Sequence, residues 1–262
     1  MVKPKRRRLH KTKSISWGLL VFEAVGWIVL AGMLLGIYEA NKAISVVQDA
    51  RPVAVVTADT TGIVRLEGLA TGEEEIREQG ILRQAYALLQ KEPFIWTCGR
   101  GCDYKLAQGA EPKASGSIKV NGVEIQADRY LFYKTWLPLN RETVEDDQLF
   151  RIYEGGSARP LLVEEHDRTA YGYRAVSSGE RITVIGNVVN GRIEPYSFSG
   201  KKKPATVLIG DTAEQMIAAE KEARTGYTIV GLLALLPLSV VMIGRLRRKA
   251  ARKPAGVRQR EG

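Results

Sequence analysis

The sequence predicts an all-β domain, a partly open barrel with one inserted helix, carried between two transmembrane α-helices. Three observations predict it. Two apolar runs, about Ile15–Tyr38 and Tyr227–Gly244, lie near the ends, each close to the roughly 20 residues that cross a ~30 Å hydrocarbon core. Both are flanked on the outside by basic tails: Met1–Ser14 holds seven Lys/Arg and no acid, Arg245–Gly262 eight Lys/Arg and one Glu. Between the runs, short β-branched stretches alternate with glycine-containing turns.

The tails fix the expected orientation. Lys/Arg clusters beside membrane helices stay in the cytoplasm. Tails 1–14 and 245–262 are therefore expected inside, spans at 15–38 and 227–244, and an extracytoplasmic domain at 39–226. The first run is longer than a signal-peptide core, and no small-residue cleavage pattern follows it, so it reads as a retained anchor. The tails also explain the overall charge of +10: they carry +14, which leaves −4 for the rest. That distribution removes the nucleic-acid reading. Lys5, Arg6, Arg7, Arg8, Arg245, Arg247, Arg248 and Lys249 are expected at the membrane surface, against anionic lipid headgroups. A cytoplasmic partner for the tails is the competing reading.

The elements follow in order. Glu39–Asp49 reads as a helical continuation that lifts the domain off the bilayer. Val53–Thr57 and Ile63–Leu69 alternate as strands around the turn Asp59–Gly62. Glu73–Lys91 reads as a helix: acids crowd its first turn, and Ile81, Leu82, Ala85, Leu88 and Leu89 recur at helical spacing, with Pro93 as its end. The Cys loop and Gly109–Ser117 read as an exposed connection. Ile118–Ile125 is a hairpin around Asn121-Gly122, the favoured two-residue turn. Arg129–Leu137 is an aromatic strand, and Glu142–Asp147 an acidic loop. Leu149–Tyr153, Ala158–Val163, Thr169–Arg174 and Arg181–Val189 are strands, with Gly155-Gly156 and Ser177–Gly179 as turns. Thr206–Ile209 is a last strand. Asp211 or Thr212 caps a helix, Ala213–Arg224, that feeds the second span. Many short strands and glycines at bending points suggest a barrel of the OB kind.

Cys98 and Cys102 are the only cysteines. Outside a membrane, two this close favour a disulfide, and the glycines between them supply a loose backbone. A local staple is the plain reading. A redox pair or half a metal site is the sharper one, though C-x-x-x-C is not the usual redox spacing. The only histidines are His10 and His166, so a zinc set would need both cysteines, His166 and a carboxylate. No metal or cofactor is expected.

Glu23 stands about 12 Å into the first span at 1.5 Å per residue. An acid there is costly. No basic residue lies within either span, so the expected options are a protonated Glu23 bonding Ser239, a contact with another subunit, or an ion role. Gly32 and Gly36 form a G-x-x-x-G that suits close helix approach, within the chain or in a homo-oligomer. Tyr130, Phe132, Tyr133 and Trp136 fit a buried core strand better than a stacking platform. Glu164–Asp167 fits a solvated turn better than a cation site. No phosphate loop, nucleophile elbow or zinc-protease motif is present in the sequence.

Several strands resemble those of the GIDE/BAM-type membrane proteins, whose best-known members are membrane-anchored ubiquitin ligases. Gly62-Ile-Val-Arg-Leu-Glu-Gly68 is similar to the family's opening G-x-V-x-x-x-G strand. Phe150-Arg-Ile-Tyr-Glu-Gly-Gly-Ser-Ala158 resembles its F-x-(L/I)-x-D-G-T-G hairpin, with Glu154 for the usual Asp. Gly179–Val189 resembles its late strand, and Val207–Gly210 followed by Ala213–Arg224 its final strand and helix. The resemblance covers roughly 50–225 and implies a two-span protein with an OB-like domain. The segment Glu73–Ser117 does not map onto it. Family ligases carry a RING after the second span. Here 18 residues follow Gly244 and none is Cys or His, so no zinc-bound RING can form in them. The expected function is therefore a non-catalytic subunit or scaffold of a membrane protein complex. An enzyme or redox module using Cys98 and Cys102, and an adaptor working through the tails, are the alternatives.

Overall fold

The structure is a computed structural model. It describes residues 17–99, 101–107, 111–125, 127–140, 142–145, 151–153, 161–166, 168–197 and 205–250. The elements are α1 (Trp17–Asp49), β1 (Arg51–Val53), β2 (Gly62–Gly72), β3 (Leu88–Cys98), β4 (Cys102–Leu106), β5 (Lys113–Ser115), β6 (Ile118–Val120), β7 (Val123–Ile125), β8 (Tyr130–Phe132), β9 (Arg151–Tyr153), β10 (Leu162–His166), β11 (Thr169–Val176), β12 (Arg181–Val189), β13 (Arg192–Glu194), β14 (Val207–Gly210) and α2 (Ala213–Ala250). The described residues fall into two compact units, one within 40–222, the other made of 17–39 with 223–250.

The larger unit is mostly β. Its first layer is a ring of five strands: β2 pairs β6, β6 pairs β7, β7 pairs β13, β13 pairs β12, and β12 returns to β2. All these pairings are antiparallel except β7 with β13. β12 lies against β2 over eight residues, Arg181 opposite Leu69 through Val188 opposite Gly62. Side chains at alternate positions point to opposite faces of a strand. Val64 and Leu66 of β2 and Ile182 and Val184 of β12 therefore share the barrel core with Ile118, Ile125, Ile193 and Val207. β12 is buried on its other face too. There Ile185 joins Val47 and Ala50 of the α1 end, Leu208, and Ala213 and Met216 of α2. Glu39–Asp49 is thus not a bare spacer. Ala40, Ile44 and Val47 are buried, and Val47 belongs to the core.

Two hairpin turns fix register. Asn121-Gly122 and Asn190-Gly191 both have positive φ at each residue (51° and 81°, 51° and 76°). That is the conformation a two-residue hairpin of the matching twist requires. Asn121 also donates to the Glu67 carbonyl at 2.9 Å, tying the β6–β7 turn onto β2.

The second layer is an antiparallel sheet in the order β4-β3-β11-β10-β9, with β5 also on β3. Its strands come from two excursions out of the ring, one between β2 and β6, the other between β7 and β12. The predicted helix at Glu73–Lys91 is corrected here. Gly80 holds a positive φ of 74° in the middle of that stretch, which breaks a helix. Ile81, Leu82 and Leu89 do enter a core, with Leu139, Val144, Val163 and Tyr173. Ile81 and Leu82 do so from turns and isolated bridges, Ile76 with Tyr86 and Leu82 with Val144, and Leu89 does so from β3. From Leu88 the chain extends to pair β11, Leu88 opposite Val176 through Ile95 opposite Thr169. Long-range pairing overrides the local helical spacing. Pro93 does not end an element but sits inside β3. β5 pairs residues 89–91 and β4 pairs 94–98, so Pro93 falls where the neighbour changes and its missing N–H leaves no gap in either ladder. The stretch after Cys102 is likewise not a plain connection, since it holds β4 and β5. The predicted aromatic strand shortens to Tyr130–Phe132. Gly155-Gly156 lies outside the described residues.

A buried polar chain joins the layers. Gln90 Oε1 accepts from the backbone N–H of Tyr130 at 3.0 Å, and Gln90 Nε2 donates to Glu92 Oε1 at 3.2 Å. Arg174 Nε donates to the same Glu92 oxygen at 3.1 Å, and Arg174 Nη1 to the Lys134 carbonyl at 2.6 Å. The side chains of Arg174 and Glu92 keep only 17% and 12% of their exposure, so each desolvated charge depends on the other. We expect Glu92→Leu to cost about 3–5 kcal/mol in denaturant unfolding because it strands the guanidinium, and Glu92→Leu/Arg174→Met to cost less. A double variant less stable than the single one would contradict this.

Candidate functional site

The helical unit holds the predicted membrane-packing residues. The described parts of α1 and α2 approach at three glycines. A Cβ on Gly26 would lie 2.7 Å from Leu238, and one on Gly36 2.9 Å from the Tyr227 ring; one on Gly231 would rest against Met33 at 3.5 Å. Gly32 is different: nothing lies within 4 Å of the Cβ it lacks. Of the G-x-x-x-G pair, only Gly36 serves this approach.

Glu23 has a partner that the sequence reading did not assign. Arg245 Nη1 stands 2.6 Å from Glu23 Oε2. Ser239 is not the partner; its Oγ donates to its own helix, at the Leu236 carbonyl 2.7 Å away. Glu23 Oε1 is buried without a hydrogen-bond partner among the described residues. Helix arithmetic accounts for the pairing only once the register is known. Tyr227 meets Gly36, and from that level Glu23 is about 20 Å of rise away and Arg245 about 27 Å. The arginine stem, reaching back along its helix, and the glutamate stem together cover the difference. Arg247 is exposed. Arg248 and Lys249 fall in the last turn of α2, their side chains outside the described set, and Lys5, Arg6, Arg7 and Arg8 lie outside the described residues altogether.

In the β unit, Cys98 and Cys102 lie directly opposite each other at the β3–β4 hairpin end and form a disulfide, S–S 2.09 Å. Both cysteines are exposed. The same face of these strands continues inward as aromatics. Trp96 meets Tyr104 edge-on at 4.9 Å, and Phe94 meets Trp136 at 5.7 Å. Trp136 covers Gly172, where a Cβ would come within 2.9 Å of the ring. Arg174 lies over the other part of this cluster, 3.9 Å from the Trp136 centroid. The sequence reading missed Gln90, Glu92 and Arg174, because nothing local marks residues paired across 82 positions. Tyr130 and Phe132 are core residues, as expected of a buried strand. His166 is in β10, its side chain outside the described set, and Asp167 is not described. Among the described residues no group of three His, Cys, Asp or Glu gathers around a metal-sized space.

Electrostatics favour neutral tyrosines. Burial pushes the Tyr130 hydroxyl up to about 12. Tyr133 is raised as well, by burial first and then by Glu220, whose Oε1 accepts its hydroxyl at 2.7 Å. Burial pulls the Arg174 guanidinium down from its ordinary value, and Glu92 opposes this.

No family model, curated protein or solved structure matches the chain.

The tyrosine shifts give a pH prediction. Unfolded tyrosine ionises near pH 10, while folded Tyr130 resists to about 12. Its contribution is complete below about pH 10 and is lost as pH rises through about 12. We expect the denaturation midpoint of the full chain in detergent to fall over that range, and Tyr130→Phe to flatten the fall. An equally steep fall in Tyr130→Phe would contradict the assignment.

Proposed function

We infer that the chain is a membrane-anchored interaction protein, a non-catalytic subunit or scaffold, tethered by two spans with both termini cytoplasmic and the β unit extracytoplasmic. One observation carries this reading. The most apolar windows of α1 and α2 have mean hydropathy 2.2 and are 0% and 11% buried. Apolar surface this continuous is not left in water. The basic tails supply the orientation. Glu23 with Arg245 fits a polar layer at the inner end of the pair.

Two further readings belong to this proposal. The ring order, counted along the barrel strands, is first, second, third, fifth, fourth, with only the third–fifth pairing parallel. That order supports an OB-like barrel. Kinship with the GIDE/BAM type is supported by where its motifs fall: Gly62–Gly68 within β2, Gly179–Val189 across the turn into β12, and Val207–Gly210 as β14. The excursion Glu73–Ser117, which does not map onto the family's motifs, carries β3, β4 and β5 into the second sheet.

The partner is a membrane protein that presents a transmembrane helix. Trp27, Ile28, Leu34 and Leu35 are exposed on α1, and Gly32 has open space beside it. Co-purification in mild detergent tests this. Gly32→Ile leaves the α1–α2 contacts untouched and is expected to reduce recovery of the partner. Glu23 is taken up by Arg245 within the chain, so Glu23→Leu is expected to leave recovery unchanged. Undiminished recovery with Gly32→Ile contradicts a partner on the spans. A chain that isolates alone from native membranes contradicts the subunit reading.

A further inference from the structure

We propose that the Cys98–Cys102 disulfide is an exchangeable redox site, whose partner is a dithiol protein of the oxidoreductase type and whose reduction leaves the fold intact. The inference goes beyond membrane tethering and does not depend on it.

Three observations carry it. Access is the first. Cys98, Cys102 and the flanking Thr97, Gly99 and Gly101 are all exposed, and among the described residues no atom outside the immediate chain neighbours lies within 4 Å of the Cβ that Gly99 or Gly101 lacks. An attacking thiolate needs access to a sulfur, and both cysteines stand at the exposed surface. Position is the second. The disulfide closes the last register pair of β3 and β4, and four pairs precede it, Phe94 with Leu106 through Thr97 with Asp103. No core cluster includes either cysteine. Loop size is the third. The bond spans a sequence separation of four. In the chain-entropy account so short a loop constrains the unfolded state little, well below the ~3 kcal/mol of a 15-residue loop. Folding therefore protects the bond only weakly. A disulfide that is exposed and thermodynamically dispensable belongs to the labile class, not the structural one.

The exchange balances as follows. One thiolate of the partner attacks Cys98 or Cys102 Sγ. The S–S bond breaks and its electron pair leaves on the other cysteine, which takes a proton from water. The mixed disulfide is then resolved by the partner's second thiol, which forms the partner's own disulfide and releases the remaining cysteine. Two electrons pass from the dithiol to this chain. The reporter stands two residues inside the bond on each strand: Trp96 packs on Tyr104 at 4.9 Å, so loosening of the hairpin end is read by tryptophan emission.

The experiment uses the full chain in detergent with a reduced thioredoxin-type protein as probe. Alkylation and intact mass follow the thiols, and a melting curve follows the fold. We expect two thiols to become alkylated under native conditions, at a rate near that of the denaturant-unfolded chain, with the melting transition retained. A probe lacking its resolving cysteine should trap a covalent mixed disulfide, absent in Cys98→Ser/Cys102→Ser. Tryptophan emission should change on reduction, and Trp96→Phe should abolish that change. Thiols that appear only as the chain unfolds overturn the proposal. So does loss of the melting transition in Cys98→Ser/Cys102→Ser, since the bond would then be structural.

Discussion

The β unit depends on one pairing, that of β2 with β12. These strands are far apart in sequence, yet they run side by side for eight residues. Their contact closes the five-strand ring. A closed ring has no free edge and can bury the inward face of every strand. β12 follows β11 across the turn that holds Gly179, and β2 is followed, after Glu73–Ala87, by β3, which pairs β11 for another eight residues. A slip of one residue would turn Val64, Leu66, Ile182 and Val184 away from the core.

The seam between the layers is held by polar contacts as well as apolar ones. Gln90, Glu92 and Arg174 come from β3 and β11 and reach the backbone of Tyr130 and Lys134 on the β8 side. A half-satisfied network of this kind is worse than an apolar one. Here each group has a partner, and the Trp136 ring closes over the guanidinium. Lys134 adds a second tie, to Glu180 in the turn before β12. Such a buried pair adds little net stability, but removing one partner strands the other charge.

Much of the ring was legible because its signals are local. Alternating β-branched residues gave β2 and β12, and Asn121-Gly122 gave the β6–β7 turn. Asn190-Gly191 carries the same signal for the β12–β13 turn, yet it went unread. The second sheet was not legible. Leu82, Leu88 and Leu89 have helical spacing and a glutamate-rich start, and only their distant partners Val144 and Val176 make them extended. Pro93 reads as a stop, and its tolerance depends on which strands flank β3. Of the candidate site, the Cys98–Cys102 pair was legible from its close spacing together with the expected location outside a membrane. The pairing of Glu23 was not, because Arg245 stands just beyond the apolar run and its reach is a matter of side-chain length.

The helical unit obeys a constraint of its own. In hydrocarbon an acid must be paired or neutralised. Glu23 meets Arg245, and bare glycines at Gly26 and Gly36 admit Leu238 and Tyr227. Both features bring together two helices that are each long and apolar enough to cross a membrane. The most direct test of the account is cysteine accessibility in intact cells, in a Cys98→Ser/Cys102→Ser background, with a membrane-impermeant thiol reagent. Glu142→Cys should label from outside, while Lys5→Cys and Arg252→Cys should label only after the membrane is opened. Labelling of both tails in intact cells, with Glu142→Cys protected, would contradict it.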